Sequence, residues 1–179
     1  MSLFVGVVVL AATLSAALGI SEPQTPAAPK ANLHDTLESI RLRIDDERTD
    51  NLGVHQRMTF AANGCAVTFR HEGGSVMLSA GSFDLKDISF IDVVDRPVGT
   101  QFTGTFLVFK TAEASQTIAV NEWSITDDHL HPRMASSFNW WLGSVPADAS
   151  ASAKDQHDRG LKLASLFSDA IGLCGGTVR

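Results

Sequence analysis

Residues 56–70 read QRMTFAANGCAVTFR, and their period decides the fold. Met58 and Phe60 alternate with Arg57 and Thr59, and Cys65, Val67 and Phe69 then alternate with Ala66, Thr68 and Arg70. Successive strand side chains point to opposite faces, so a period of two predicts half-buried strands. Ala62-Asn63-Gly64 between the two runs supplies turn residues, and the stretch reads as a β-hairpin.

Working outward, Gly73-Gly74 marks the next turn, which makes His71-Glu72-Gly73-Gly74-Ser75 a turn rather than a zincin helix. Ser75 to Ala80 and Phe83 to Val94 read as further strands, the second broken near Asp87. Phe102 to Lys110, Thr117 to Ile125 and Ser136 to Leu142 continue the series, with turns expected at Glu113 to Ser115 and Asp127 to Pro132. Strands in succession without intervening helices predict an antiparallel meander. The period changes to helical spacing between Asp155 and Cys174, where Leu163, Ala164, Phe167, Ala170, Ile171 and Cys174 share one stripe before Gly175-Gly176 stops the helix. Before the strands, Asn32 caps a short amphipathic helix with Asp35 in its first turn and Leu33, Leu37, Ile40 and Ile44 on one face. Asp45, Asp46, Glu47 and Arg48, followed by Thr49 to Gly53, read as the helix exit and a polar loop, a solvated end rather than a cation site.

An α+β chain of this order, antiparallel strands closed by one amphipathic C-terminal helix, resembles the pleckstrin-homology-like barrel over about Gln56 to Gly176. The resemblance implies a barrel or strongly curved sheet of roughly six to seven strands, with the helix plugging one open end. It carries over no functional residue, and no loop here concentrates the basic side chains on which the phosphoinositide-binding version depends. A lipocalin-like barrel has a similar element order and stands second; its Gly-X-Trp near the first strand is missing, the tryptophans being Trp123, Trp140 and Trp141.

Cys65 shares a face with Val67 and Phe69, and Cys174 shares the stripe of Phe167 and Ile171, so both thiols are expected between sheet and helix. In an oxidising compartment the one intrachain pairing available is Cys65–Cys174. Closing so long a loop contributes roughly 4 to 5 kcal/mol by chain entropy. The alternatives are two buried free thiols or a redox pair, the latter without the Cys-X-X-Cys that such chemistry uses.

Asp127, Asp128, His129 and His131 form the best metal-ligating cluster, since carboxylate and imidazole suit a borderline divalent ion. The competing reading is an exposed polar turn ahead of Pro132. Asp84 and Asp87 can be read as paired acids or as solvent-facing strand ends, the commoner case. Trp140 falls on the parity of Phe138 and Leu142 and is expected in the core. Trp123 and Trp141 are the candidate exposed aromatic contacts for a peptide, glycan or lipid, the commoner alternative being that the N-terminal helix covers them. No Gly-X-Ser-X-Gly elbow, Walker loop or dinucleotide fingerprint occurs, so no cofactor is expected.

Residues 1–19 carry no charge: LFVGVVVL at 3–10 is followed by the small-residue run AATLSAALG. They read as a signal peptide cleaved between Gly19 and Ile20, although only Met1 and Ser2 precede the apolar run where a basic stretch is usual. An uncleaved membrane anchor is the alternative, because residues 2–20 approach the ~20 apolar residues a bilayer requires. Residues 20–31, with SEPQTPAAPKA, read as an extended Pro-rich linker, and 32–179 as a single globular domain. The 179 residues hold 14 basic against 20 acidic side chains, a net charge of −6, with 44% hydrophobic residues. That apolar content excludes a disordered chain, and the acidic balance without a Lys/Arg cluster speaks against nucleic acid or an anionic membrane as the main partner. The expected function is an exported, periplasmic or secreted, non-catalytic binding domain for a protein, glycan or small hydrophobic ligand. Carriage of a hydrophobic ligand in a barrel cavity and a metal-assisted hydrolase are the alternatives.

Overall fold

The computed structural model describes residues 32–178 apart from 45, 50–54, 75 and 125–128. The expected signal segment and Pro-rich linker lie outside the described residues.

Helix α1 spans Leu33–Ile44 and buries Thr36, Leu37, Ile40 and Ile44. Asn32 caps it: its side-chain oxygen accepts from the Asp35 N–H at 2.8 Å, and its amide donates to the Asp35 carboxylate at 2.6 Å. Strand β1, Asp46–Thr49, follows and pairs antiparallel with β2, His55–Asn63. Of the helix exit and polar loop expected from Asp45 to Gly53, the stretch Asp46 to Thr49 is instead a short edge strand, held by the backbone of its neighbour without any apolar alternation of its own.

The expected hairpin is formed by β2 and β3, Ala66–Gly73, with Met58, Phe60, Val67 and Phe69 all buried. Strand β4, Val76–Asp84, continues the sheet. A single 3-10 turn at Leu85–Asp87 then breaks the chain near where the sequence placed a break, so Phe83 belongs to β4 and the next strand, β5, runs Ile88–Val98. Asp84 caps this turn by accepting from the Lys86 N–H at 3.1 Å, and Leu85 is fully buried as its pivot.

The pivot changes the topology. β4 pairs not with β5 but with β7, Ile118–Ser124, which pairs in turn with β8, His129–Ala135. β5 pairs with β6, Phe102–Thr111, and β6 with β9, Ser137–Pro146. The result is a six-stranded sheet ordered β1-β2-β3-β4-β7-β8 and a three-stranded sheet ordered β5-β6-β9. Neither the simple meander nor a closed barrel is found among the described residues. The turn expected up to Pro132 is likewise corrected, since His129 to Pro132 lie in β8; that strand ends the sheet, where a residue lacking an N–H is tolerated.

Aromatic rings join the two sheets. Phe69 of the first lies with ring centroids 5.4 Å from Phe109, 5.6 Å from Phe138 and 4.9 Å from Trp140 of the second. Helix α2, Ser150–Leu173, starts earlier than its apolar stripe foretold, and its Phe167 meets Phe60, Phe69 and Phe109. Its C-terminal end is closed by a Schellman motif: Gly175 takes φ +81°, the Gly176 N–H donates to the Ile171 carbonyl at 2.9 Å, and the Gly175 N–H donates to the Gly172 carbonyl at 3.1 Å. There Cys174 is disulfide-bonded to Cys65, across 109 residues of sequence and 5.8 Å between Cα atoms. Cys65 itself sits in the β2–β3 turn, where its carbonyl accepts from Leu85 N–H at 2.9 Å. The helix end, the hairpin turn and the 3-10 pivot thus form one knot, and the sulfur pairing expected from the sequence is present.

Candidate functional site

The residues singled out in the sequence do not converge. His129 and His131 are exposed on β8, with His131 opposite Glu122 in the ladder, while Asp127 and Asp128 lie outside the described residues. Among the described residues no three His, Cys, Asp or Glu side chains are grouped to hold a metal ion. Asp84 serves its cap and an ion pair with Lys86 at 3.1 Å, which holds the Lys86 ammonium above the usual lysine range. Trp123 is half-buried opposite Leu130 on β8. Trp141 is half-buried too: its indole donates to Ser144 Oγ at 3.1 Å, and its ring lies 5.1 Å from that of His71, which contacts Gln56 at 2.7 Å. Trp140 is in the core, at 1% exposure.

A cavity of about 370 Å³ opens elsewhere, between the last turn of α1, strands β2 and β9, and the middle of α2. Its apolar wall consists of Leu42, Ile44, Met58, Leu142 and Leu163. Two further lining residues, Trp140 and Gln156, carry buried donors with no hydrogen-bond partner, the indole Nε1 and the amide Nε2. A buried donor left unsatisfied costs about 1–3 kcal/mol, so two among the residues that line one cavity are unusual for a surface that merely packs. The remaining lining side chains are cationic, Arg43, Arg159 and Lys162, and among the described residues no acid lines the cavity.

Local sequence explains the hollow. Gln156 and Gly160 continue the stripe of Leu163 and Phe167 one and two turns toward the helix start, but one is polar and the other has no side chain. At Gly160 a Cβ would stand 2.8 Å from Val93 Cγ1 and 3.2 Å from Leu142 Cδ1, so α2 approaches the sheet closely there. Asp95 fixes the approach by accepting from Thr105 Oγ1 at 2.7 Å and from His157 Nδ1 at 2.9 Å, tying α2 to β5 and β6. On the outer face, the hydrogen bond from the Lys154 ammonium holds the Asp158 carboxyl below its ordinary range.

A second hollow, of about 390 Å³, lies between α1 and β2. Its charges are matched within the chain: Arg41 bonds Glu38 at 2.6 Å and holds that carboxyl below the usual range. At the first cavity no ion pair among the described residues is made by Arg159 or Lys162, and the Lys162 charge acts on Asp158 only at longer range, helping to hold that carboxyl down. The space between the two sheets, where a lipocalin-like reading places a ligand, is occupied by the aromatic rings of the core.

Compared with protein families, curated proteins and solved structures, the chain finds no match. Gln156, Arg159, Lys162, Arg43 and Leu42 were not singled out in the sequence. The signals present were a stripe interrupted by Gln156 and Gly160, and Leu42, 66% exposed, off the apolar face of α1.

Proposed function

We propose that this chain is an exported, non-catalytic binding domain of the periplasm or extracellular space, whose ligand site is the cavity between α1, β2, β9 and α2. The observation that carries the reading is a mostly apolar cavity, two of whose lining residues, Trp140 and Gln156, each hold a buried donor without a partner, Nε1 and Nε2. Pockets of small ligands are of this kind, apolar surfaces with a few polar groups that orient the occupant. Export is supported by the uncharged residues 1–19 and by a disulfide compatible with an oxidising compartment. Among the described residues no helix is long and apolar enough to cross a membrane. The fold is read as pleckstrin-homology-like, supported by strands followed by one C-terminal helix that packs on the three-stranded sheet and reaches the other through Phe167; fold alone assigns no ligand.

The test is titration of the disulfide-bonded protein with 1-naphthylamine, an uncharged fluorescent probe of apolar sites small enough for the cavity. Saturable fluorescence is expected, weakened about tenfold when Leu142→Trp fills the cavity, an effect of the order of one lost apolar contact. Fluorescence that does not saturate, or that the folded Leu142→Trp variant leaves unchanged, refutes the assignment. An intact mass of the exported protein beginning at Ile20 checks the compartment separately.

A further inference from the structure

Resting on the binding reading above, we infer that the cavity's occupant is a single-chain anionic amphiphile: an aliphatic tail ending in a carboxylate. Three features of the cavity converge on this class. Its wall is aliphatic from four separate segments, with Leu42 at 66% exposure and Leu163 at 3%, so apolar surface runs from solvent into the interior. Its two orphan groups, Trp140 Nε1 and Gln156 Nε2, are both donors, and donors are satisfied by an oxygen-bearing head rather than by hydrocarbon. Its lining charges, among the described residues, all have one sign.

The charge argument has the most force because of its setting. The chain carries −6 overall, yet Arg43, Arg159 and Lys162 meet at this one cavity and no acid among the described residues lines it with them. Arg43 bonds the Ser39 carbonyl at 3.0 Å through a single N–H, which leaves most of the guanidinium's five donors for other partners. Planar guanidinium groups match carboxylate oxygens in pairs, and such charge-assisted bonds are roughly twice as strong as neutral ones. A cationic ligand is repelled here, and a neutral one gains nothing from the three exposed cations, which stay hydrated, whereas an anion pairs with them.

Volume sets the size. At ~30 Å³ per water-sized group, about 370 Å³ holds roughly a dozen heavy atoms. That suits one medium-length acyl chain with its head and is too small for a two-tailed lipid.

The experiment uses the ¹⁵N-labelled, disulfide-bonded protein and three probes of matched tail: decanoate, 1-decanol and decyltrimethylammonium. The indole resonance of Trp140 is assigned by its loss in Trp140→Phe. Decanoate is expected to move it downfield in a saturable manner, as a new hydrogen bond does, and to bind about tenfold more tightly than decanol, with the ammonium compound weaker still. Arg159→Gln with Lys162→Gln should weaken decanoate about tenfold and leave decanol within about twofold. Equal or tighter binding of decanol, with the Trp140 resonance still moving, overturns the anionic class and leaves the cavity as a binding site. A Trp140 resonance unmoved by all three, while the fluorescent probe still saturates, overturns the amphiphile. Failure of the fluorescent probe as well removes the binding reading itself.

Discussion

The two halves of α2 share one stripe geometry and reach opposite results. From Leu163 to Cys174 the stripe presents Leu163, Phe167, Ala170 and Ile171, every one of them at 3% exposure or less, and the end is closed by a Schellman motif and a disulfide. From Ser150 to Gly160 the same face presents Gln156 and Gly160, the helix begins at Ala149 without a side-chain cap, and the polar contact of His157 with Asp95 ties it to the sheet. Side-chain volume along one stripe therefore decides where a helix seals against a core and where it roofs a hollow. The sealed half supplies stability, and the roofing half is free to carry unsatisfied donors.

The comparison breaks first if the sealed half proves dispensable. Replacing Cys65 and Cys174 together by serine releases a loop of 109 residues and should cost roughly 4 to 5 kcal/mol in urea unfolding. Reduction with dithiothreitol should lower the unfolding midpoint by the same amount. A midpoint shift corresponding to less than about 1 kcal/mol shows that the helix holds its place by packing alone. Phe167→Ala should come next, at about 3–5 kcal/mol, because Phe167 is fully buried against Phe60, Phe69 and Phe109 and its loss leaves a cavity that rigid neighbours cannot fill. Calorimetry of this variant checks it.

The same contrast governs what was legible in the sequence. Features written within one turn or one hairpin were readable: the Asn32 cap, the stripe of Leu37, Ile40 and Ile44, the alternation from Met58 to Phe69, and the glycines after Cys174. The sulfur pairing was readable because two cysteines leave one intrachain choice. Strand partnership was not. The break near Asp87 announces that β4 ends, but nothing local says that β4 turns to β7 while β5 starts a second sheet. Strands β1 and β8 were hidden for another reason: they end the six-stranded sheet, so the backbone of one neighbour holds them and DERT and HLHPRMA need show no clean alternation. The cavity was least legible of all. Its residues come from 42–44, 58, 140–142 and 156–163, and its three cations form no run in the sequence.

Gly160 marks the boundary between the halves and gives a prediction of sign. In an exposed helix, Gly→Ala is stabilising by about 1 kcal/mol. Here the new methyl would stand 2.8 Å from Val93 Cγ1, on a β-branched side chain with few rotamers to yield. Overpacking of this kind costs about 1–3 kcal/mol, so Gly160→Ala should be destabilising by about 1 kcal/mol net and should weaken decanoate binding as α2 is pushed outward. A gain in urea stability would mean that α2 rides higher over the sheet than the structure places it.

The smallest effect carries the sharpest contrast, because it should raise stability. Gln156 Nε2 is buried without a partner, and an orphan donor costs folding free energy that the unfolded chain, hydrated, does not bear. Methionine has nearly the same length and shape without the amide, so Gln156→Met should be stabilising by about 1 kcal/mol. The corresponding substitution in the sealed half, Phe167→Met, can only lose, since no unsatisfied group is there to be removed. If Gln156 is kept for its donor, the stabilised protein should bind decanoate more weakly while uncharged 1-naphthylamine, reporting the apolar wall, is held nearly as before. A Gln156→Met protein that is both more stable and undiminished toward decanoate would show that the amide has no part in recognition, leaving Trp140 as the single donor on which the site depends.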